Sequence, residues 1–460
     1  MYFLYSILLT VGFIVLLPRF VFDAVRHGKY AAGFGERMGR TPQPDASLTR
    51  GRPVIWLHCV SVGETQAARP LVSALGEHYP SHALVVSTTT RTGQTLAREL
   101  FAQEAAAVFY FPFDWAWTVR RALRIVRPSA VLVLETELWP RFLRECNAAR
   151  VPVALVNGRI SDASFRRYRM IRPFIKRVVN QLTLAIMQTD ADAARIRELG
   201  LAPARVRVSG NIKFDAQDET SEQSATTGLL RARFALDGAR PLIVAASTHA
   251  PEERIVLAAF QKLRRAQPHR QARLLIAPRH PERFDEIASL LDASGLSWSR
   301  RSAQPDERDA QSDCILLDSI GELRGAYALA TLVFIGGSIA RTGGHNVLEP
   351  ASHAKCIVTG AHTSNFASIV RAFLEQDALV QLPTLTDADA PDALARVFED
   401  LLADDVRRQH IGANAHAALA RSRGATARTL EMLGEVLNRT PANNARRVAV
   451  KTQAMSRSSQ

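Results

Sequence analysis

The sequence predicts an α/β protein made of two doubly wound, parallel-sheet domains. Three observations lead there. Short apolar runs alternate with amphipathic stretches in two successive series, the pattern of strands separated by crossover helices. Polar, often glycine-bearing segments follow the runs, as expected at the carboxyl ends of parallel strands, where ligands bind. The two series are separated by Ala216 to Gly228, AQDETSEQSATTG, which has almost no apolar content and reads as a linker. The length of 460 residues allows two or three domains of roughly 150 residues, and the 47% apolar fraction is enough for full cores.

The chain opens with an apolar run from Tyr2 to Leu17, followed by Pro18, Arg19 and a second apolar cluster to Phe22. It is near the lower limit for a spanning helix, about 17 residues. No basic residue precedes it and no small-x-small site follows, so a removable signal peptide is disfavoured. Arg19, Arg26, Lys29, Arg37 and Arg40 come next, which by the positive-inside rule places the body in the cytoplasm. Residues 1–22 are therefore expected to form an uncleaved anchor or interfacial helix, the alternative being a core helix of the fold.

The first domain is expected over residues 23–215. Its apolar runs are Val54–Leu57, Leu84–Val86, Val108–Phe111, Val131–Leu134, Val153–Val156, Leu184–Met187 and Val206–Val208. After the linker, 216–228, a second domain over 229–437 carries Leu242–Ala245, Leu274–Ala277, Ile315–Leu317, Leu332–Ile335, Ile357–Val358 and Leu379–Leu382. Arg301 to Asp313 reads as a charged surface loop, and 438–460 as a basic, disordered tail. The two polar rims are expected to face each other across a cleft, one substrate to each.

The formal charge of +14 points to an anionic partner. The arginines are spread along helices without interleaved aromatics, which argues against nucleic acid. The four cysteines, Cys59, Cys146, Cys314 and Cys356, form no CxxC pair and read as buried thiols of a reducing compartment. No ligand cluster supports a metal, and no GxxxxGK[ST] loop is present.

Chemistry collects at the strand ends. Glu64, in SVGET, is expected at a helix start, where it serves either as a general base or as a complement to the helix dipole. Glu135 and Glu137, in ETELWP, are expected on one side of an extended segment, without a choice between them. Lys213, in GNIKFD, lies just before the linker and is placed to meet a phosphate leaving group, engaging it fully when the domains close. Arg279, His280 and Arg283, in APRHPER, suit a phosphate or carboxylate. Thr331 to Pro350, TLVFIGGSIARTGGHNVLEP, combines a strand, a glycine-rich loop and a helix start. It is expected to present free N–H groups to an anion, with Glu349 on a ribose.

In order, SVGET, ETELWP, NGRIS, GNIKFD, STHAPEE, APRHPERF, GELRGAY and GGSIARTGGHNVLEPA closely resemble the 3-deoxy-D-manno-octulosonic acid (Kdo) transferases of lipopolysaccharide synthesis. The resemblance runs from the N-terminal helix to about Arg421. It implies a GT-B fold of two Rossmann-like domains, acceptor-binding then donor-binding, with an N-terminal apolar anchor helix. It implies an inverting, metal-free transfer of Kdo from CMP-Kdo to a lipid A precursor, on the cytoplasmic face of the inner membrane among anionic lipids. No cofactor is implied. Carried over by motif, Glu64 is the general base, and Glu135 and Lys213 stabilise the transition state. Pro278, Arg279, Ile320, Gly321, Glu322, Asn346, Val347, Leu348 and Glu349 are the cytidine nucleotide pocket. The competing expectations are another GT-B sugar transferase and a nucleotide-sugar epimerase.

Overall fold

A computed structural model describes residues 1–27, 33–216, 221–265, 269 and 271–438. The chain divides into two compact units. The first comprises residues 1–216 together with the segment from Arg423 onward; the second runs from Gln217 to Ser422.

The first unit holds a seven-stranded sheet: β1 (Val54–His58), β2 (Ala83–Thr88), β3 (Ala105–Tyr110), β4 (Pro128–Leu134), β5 (Val153–Gly158), β6 (Leu184–Met187) and β7 (Val206–Val208). Every pairing is parallel, and the order is β3-β2-β1-β4-β5-β6-β7. The connections run outward from β1 to one side, then return to β4 on the other. The topological switch point therefore lies between β1 and β4, where open α/β sheets bind ligands. The strands read as continuous apolar runs because helices cover both faces.

The second unit repeats this plan with β8 (Leu242–Thr248), β9 (Arg273–Pro278), β10 (Trp298–Arg300), β11 (Cys314–Leu316), β12 (Leu332–Ile335), β13 (Cys356–Thr359) and β14 (Val380–Gln381). Its order, β10-β11-β9-β8-β12-β13-β14, is again all parallel. Its switch point lies between β8 and β12.

Four features differ from the sequence reading. Strand β10 was not anticipated: Trp-Ser-Arg at a sheet edge has no apolar run to reveal it. The loop read from Arg301 to Asp313 contains a 3₁₀ turn, Glu307–Gln311, capped by Asp306. Its buried Asp309 pairs with Arg233 at 2.7 Å. Most of the expected linker is helical, within Ser221–Phe234, because Leu230 and Phe234 at its far end are fully buried. The helix Ala425–Leu437 belongs to the first unit rather than the second. There Asp215 accepts from the N–H groups of Gly424 at 2.7 Å and Thr426 at 2.6 Å, and Arg207 meets Glu435 at 3.2 Å. The expected tail beyond Asn438 lies outside the described residues.

The N-terminal segment forms one helix, Tyr2–His27. Among the described residues no helix is long and apolar enough to cross a membrane. One side of this helix docks on the first unit: Tyr5 donates to Asp114 at 2.8 Å, Trp115 donates to Thr10 at 3.0 Å, and Phe13 packs edge-on to Phe113 and Trp115. Phe3, Leu4, Ile7, Leu8, Val11, Ile14 and Val15 remain exposed. Of the basic residues that follow, Arg37 is committed inward, donating to the Thr89 carbonyl and lying over the Tyr110 ring at 4.4 Å. The four cysteines are buried and free.

Candidate active site

At the first switch point, the turn after β1 leads into the helix Val62–His78. Ser61 caps it, and Glu64 is its third residue, with its side chain turned back over the helix start. Its carboxylate accepts from the Val60 N–H at 2.8 Å and the Ser61 hydroxyl at 3.1 Å. Only 8% of Glu64 is exposed. Burial pushes its carboxyl up to about 8, with help from the negative charges of Glu135 and Glu137. A carboxylate of that basicity suits proton abstraction near neutral pH.

Glu135 directly follows β4, the neighbouring strand, and adopts a left-handed backbone with φ of 55°. Non-glycine residues pay for that conformation in strain, which concentrates at functional sites. This turn breaks the simple alternation expected for Glu135 and Glu137. Burial, and then the Glu135 charge, also raises Glu137. The Lys213 ammonium meets Glu135 at 2.7 Å, with both side chains about one-fifth exposed.

Lys213 is positioned from three directions. Asn157, at the end of β5 and also left-handed at φ 55°, accepts from the Ile212 N–H at 3.1 Å. Asn211 accepts from the Lys213 N–H at 3.0 Å. Asp215, in the same 3₁₀ turn, is held by the start of the helix Ala425–Leu437. The structure thus brings Glu64, Glu135 and Lys213 together within one unit, joined by Glu137. His58, on β1 behind them, is fully buried and stacked on Phe111 at 3.8 Å; burial lowers it to about 3, so it is neutral. A cavity of about 140 Å³ in this unit, lined by Leu48, Val72, Tyr79 and His82 among others, contains none of the three catalytic candidates.

The expected donor residues emerge from β9, β11 and β12 of the second sheet. Pro278 ends β9 and is buried, whereas Arg279 is exposed. After β11, Ile320 is 84% exposed and Gly321 is left-handed at φ 90°. Glu322 pairs with Arg301 at 2.8 Å and accepts from Ser319. After β12, Asn346 accepts from the Leu348 N–H at 3.0 Å and donates to Glu349 at 3.2 Å. Val347 and Leu348 are buried, so their side chains belong to the core. Arg324, which the sequence reading did not single out, meets Glu349 at 3.2 Å and ties the second and third segments together.

The glycine-rich turn departs from expectation. The N–H groups of Gly337, Ser338, Ile339 and Ala340 are not free: all donate to Glu252, at 2.7 to 3.0 Å. Glu252 also accepts from the His249 N–H at 3.0 Å. A Cβ on Gly336 would lie 2.6 Å from the Thr248 backbone, so the first glycine serves close packing. The helix expected to present its dipole spans only Leu348–Ser352, and Asn346 takes its first N–H. Sequence could have suggested Glu252, since STHAPEE places an acid at the start of the helix after β8; nothing local predicts that it reaches the next strand's turn.

Residues 32–216 match the profile of a family described as 3-deoxy-D-manno-octulosonic-acid transferase (kdotransferase). The 3-deoxy-D-manno-octulosonic acid transferase of Bordetella pertussis is 35% identical, covering 88% of this chain and 91% of its own length. That of Haemophilus influenzae is 32% identical, covering 90% of this chain and 94% of its own. Among solved structures, a UDP-GlcNAc 2-epimerase from Neisseria meningitidis bound to UDP-GlcNAc overlays with a TM-score of 0.55, covering 82% of this chain and 100% of that one. At 12% identity that likeness concerns the fold alone. The chain belongs to the 3-deoxy-D-manno-octulosonic acid transferase family.

Proposed function

We propose that this glycosyltransferase moves Kdo from CMP-Kdo to a hydroxyl of a lipid A precursor, with inversion at the anomeric carbon. The observation that carries the reading is the buried Glu64 beside the Glu135–Lys213 ion pair at the first switch point. In this mechanism the Glu64 carboxylate takes the proton of the acceptor hydroxyl as its oxygen attacks the anomeric carbon. The bond from that carbon to the donor phosphate breaks, and CMP leaves with the electron pair. Lys213 offsets the charge developing on the leaving phosphate, and Glu135 orients the ammonium. The first unit thus serves the acceptor chemistry and the second holds the nucleotide, with Glu349 on the ribose, Arg279 near the phosphate, and the Ile320–Glu322 turn completing the pocket.

The proposal extends to the membrane. The exposed apolar side of the helix Tyr2–His27 is matched by a basic, partly apolar surface on the helices Asp162–Met170 and Arg172–Val179. Tyr2 packs on Phe174 there, and Arg166, Arg167, Arg169, Arg172, Lys176 and Arg177 are exposed on the same two helices as the exposed Met170 and Ile171. An apolar helix side beside clustered cations suits the anionic cytoplasmic leaflet of the inner membrane, with the helix lying in the interface.

A thermal-shift screen tests the donor assignment. CMP is expected to raise the melting temperature while UDP leaves it unchanged. Glu349→Ala is expected to weaken CMP affinity about tenfold, the loss of one hydrogen bond to a charged group. Protection by UDP alone would favour another GT-B transferase or an epimerase and defeat the proposal.

A further inference from the structure

Filling the glycine turn with Glu252 leaves a question of charge. The donor carries an anionic phosphate, yet the four N–H groups best arranged for an anion are already spent on a carboxylate of the protein itself. An anion arriving at the second switch point needs other partners. The structure places three imidazoles there, on the loops that follow three adjacent strands. His280 follows β9, His249 follows β8, and His345 lies in the loop after β12.

The contact between two of them is close. The Nε2 atoms of His249 and His345 are 2.8 Å apart, and the rings lie nearly parallel, with centroids 5.0 Å apart and an angle of 4°. At that separation one ring must donate an N–H and the other must accept it, so two neutral imidazoles of opposite tautomer satisfy the contact. His280 stands edge-on to His249 at 5.0 Å. The pair is built in rather than adventitious. The His249 backbone is fixed through its N–H to Glu252, and the His345 ring packs so tightly on Gly337 that a Cβ there would come within 2.9 Å. Gly337 itself is left-handed, at φ 68°.

The groups facing the pair are mostly basic. Arg279 and His280 come from the loop after β9, and Arg283 from the 3₁₀ turn beyond it. From the helix Glu252–Arg265, Glu253 faces His249, but its carboxylate is already paired with Arg283 at 2.6 Å. Glu252 is saturated with N–H donors. Burial, then the mutual repulsion with His249, and then Arg279 and His280 hold His345 down at about 3; burial, then His280 and the arginines, lower His249. The pair is therefore neutral, in a site whose surroundings favour a negative charge.

We propose that His249 and His345 form the receptor for the donor's phosphate, and that they take up one proton from solvent when it seats. The inference rests on the donor reading above. The incoming anion reverses the local balance of charge, so one proton beyond the two that the neutral pair holds becomes favourable and gives an imidazolium able to donate to a phosphate oxygen. No covalent bond is made or broken in this step; one proton moves from buffer to imidazole. The phosphate is the favoured anion because His280 directly follows Arg279 and His345 directly precedes Asn346, both in expected nucleotide-binding segments. The carboxylate of the sugar is the other anion of the donor, and the choice of probe separates them.

The test is titration calorimetry of the full-length chain with CMP, at about pH 7.5, where a phosphate monoester is mostly dianionic. Buffers of different ionisation enthalpy report the protons taken up. The expected result is uptake approaching one proton per CMP, and none with cytidine, which lacks the phosphate. His249→Gln and His345→Gln should each remove the uptake and weaken CMP about tenfold to a hundredfold, leaving cytidine binding unchanged. Tight CMP binding by the unmodified protein without proton uptake overturns the inference and leaves the donor reading standing, even if neither variant folds. Equal uptake in folded variants overturns it too, and uptake seen only with the intact sugar nucleotide moves the assignment to the carboxylate and defeats it as stated. A protein that binds no CMP at all defeats the donor reading, and the inference with it.

Discussion

The two switch points occupy the same place in two sheets of the same design, and they are wired in opposite ways. Each first strand, β1 or β8, is followed by a helix whose first turn carries a buried glutamate, Glu64 or Glu252. Glu252 meets the turn after β12 and finds four N–H groups waiting for it. Glu64 has only the Val60 N–H and the Ser61 hydroxyl from its own turn, and it feels Glu135, from the turn after β4, as a like charge. Burial raises both carboxyls; at Glu252 the hydrogen bonds from Gly337, His249, Ile339 and Ala340 work against it. One fold position thus yields a structural brace in one unit and a basic carboxylate in the other. The comparison teaches that position in the fold marks a site, while the partners across the switch point decide its chemistry.

The largest way to break this comparison is to remove the basic carboxylate. Glu64→Gln is expected to lower transfer about a hundredfold to ten-thousandfold, the usual range for loss of a general base, with CMP affinity unchanged. Steady-state kinetics and calorimetry on one preparation check it; near-normal turnover would make Glu64 a brace like Glu252.

Next in size is Lys213→Ala. Turnover is expected to fall by roughly two to three orders of magnitude, as for loss of one charge-stabilising group, with little change in CMP affinity. Equal loss of nucleotide affinity with turnover intact at saturation would make Lys213 an ordinary binding residue. The same variant strips Glu135 of its cation, so the added negative charge should raise Glu64 further.

The smallest effect is expected at the N-terminal helix. Deleting residues before Asp23 should leave a folded, CMP-binding chain that sediments less with vesicles containing anionic lipid, its remaining attachment weakening as salt rises. A truncated chain that fails to fold would make the helix Tyr2–His27 part of the core.

What was legible in the sequence follows from local physics. The continuous apolar runs located thirteen of the fourteen strands among the described residues, because parallel strands covered on both faces need no polar alternation. Glu64, Glu135, Lys213 and Arg279 lie in the segments that follow those strands, where they were expected. Four kinds of information were beyond its reach. Strand β10 owes its existence to pairing with β11 rather than to its own composition. The helix Ala425–Leu437 joins the first unit through Asp215, Arg207 and Ser209, contacts more than two hundred positions away in the chain. Glycines predicted to cradle an anion turned out to be occupied, because the sequence gives no sign that Glu252 reaches across to them. Val347 and Leu348 sit within a motif of expected donor residues, yet burial shows that their side chains serve packing.

The proposed mechanism stands on burial, reinforced by the negative charges of Glu135 and Glu137, holding Glu64 basic enough to act as the base. The direct measurement is the pH dependence of turnover at saturating donor and acceptor, for the unmodified protein and for Glu135→Gln. In the proposed mechanism Glu64 acts deprotonated, and its carboxyl is held up at about 8, so the rate should rise with pH through that value. Glu135→Gln removes a negative charge that raises it, so the rise should move to lower pH while maximal turnover falls. A rate that is flat from pH 6 to 9, or a rise that stays in place in the variant, would contradict the claim.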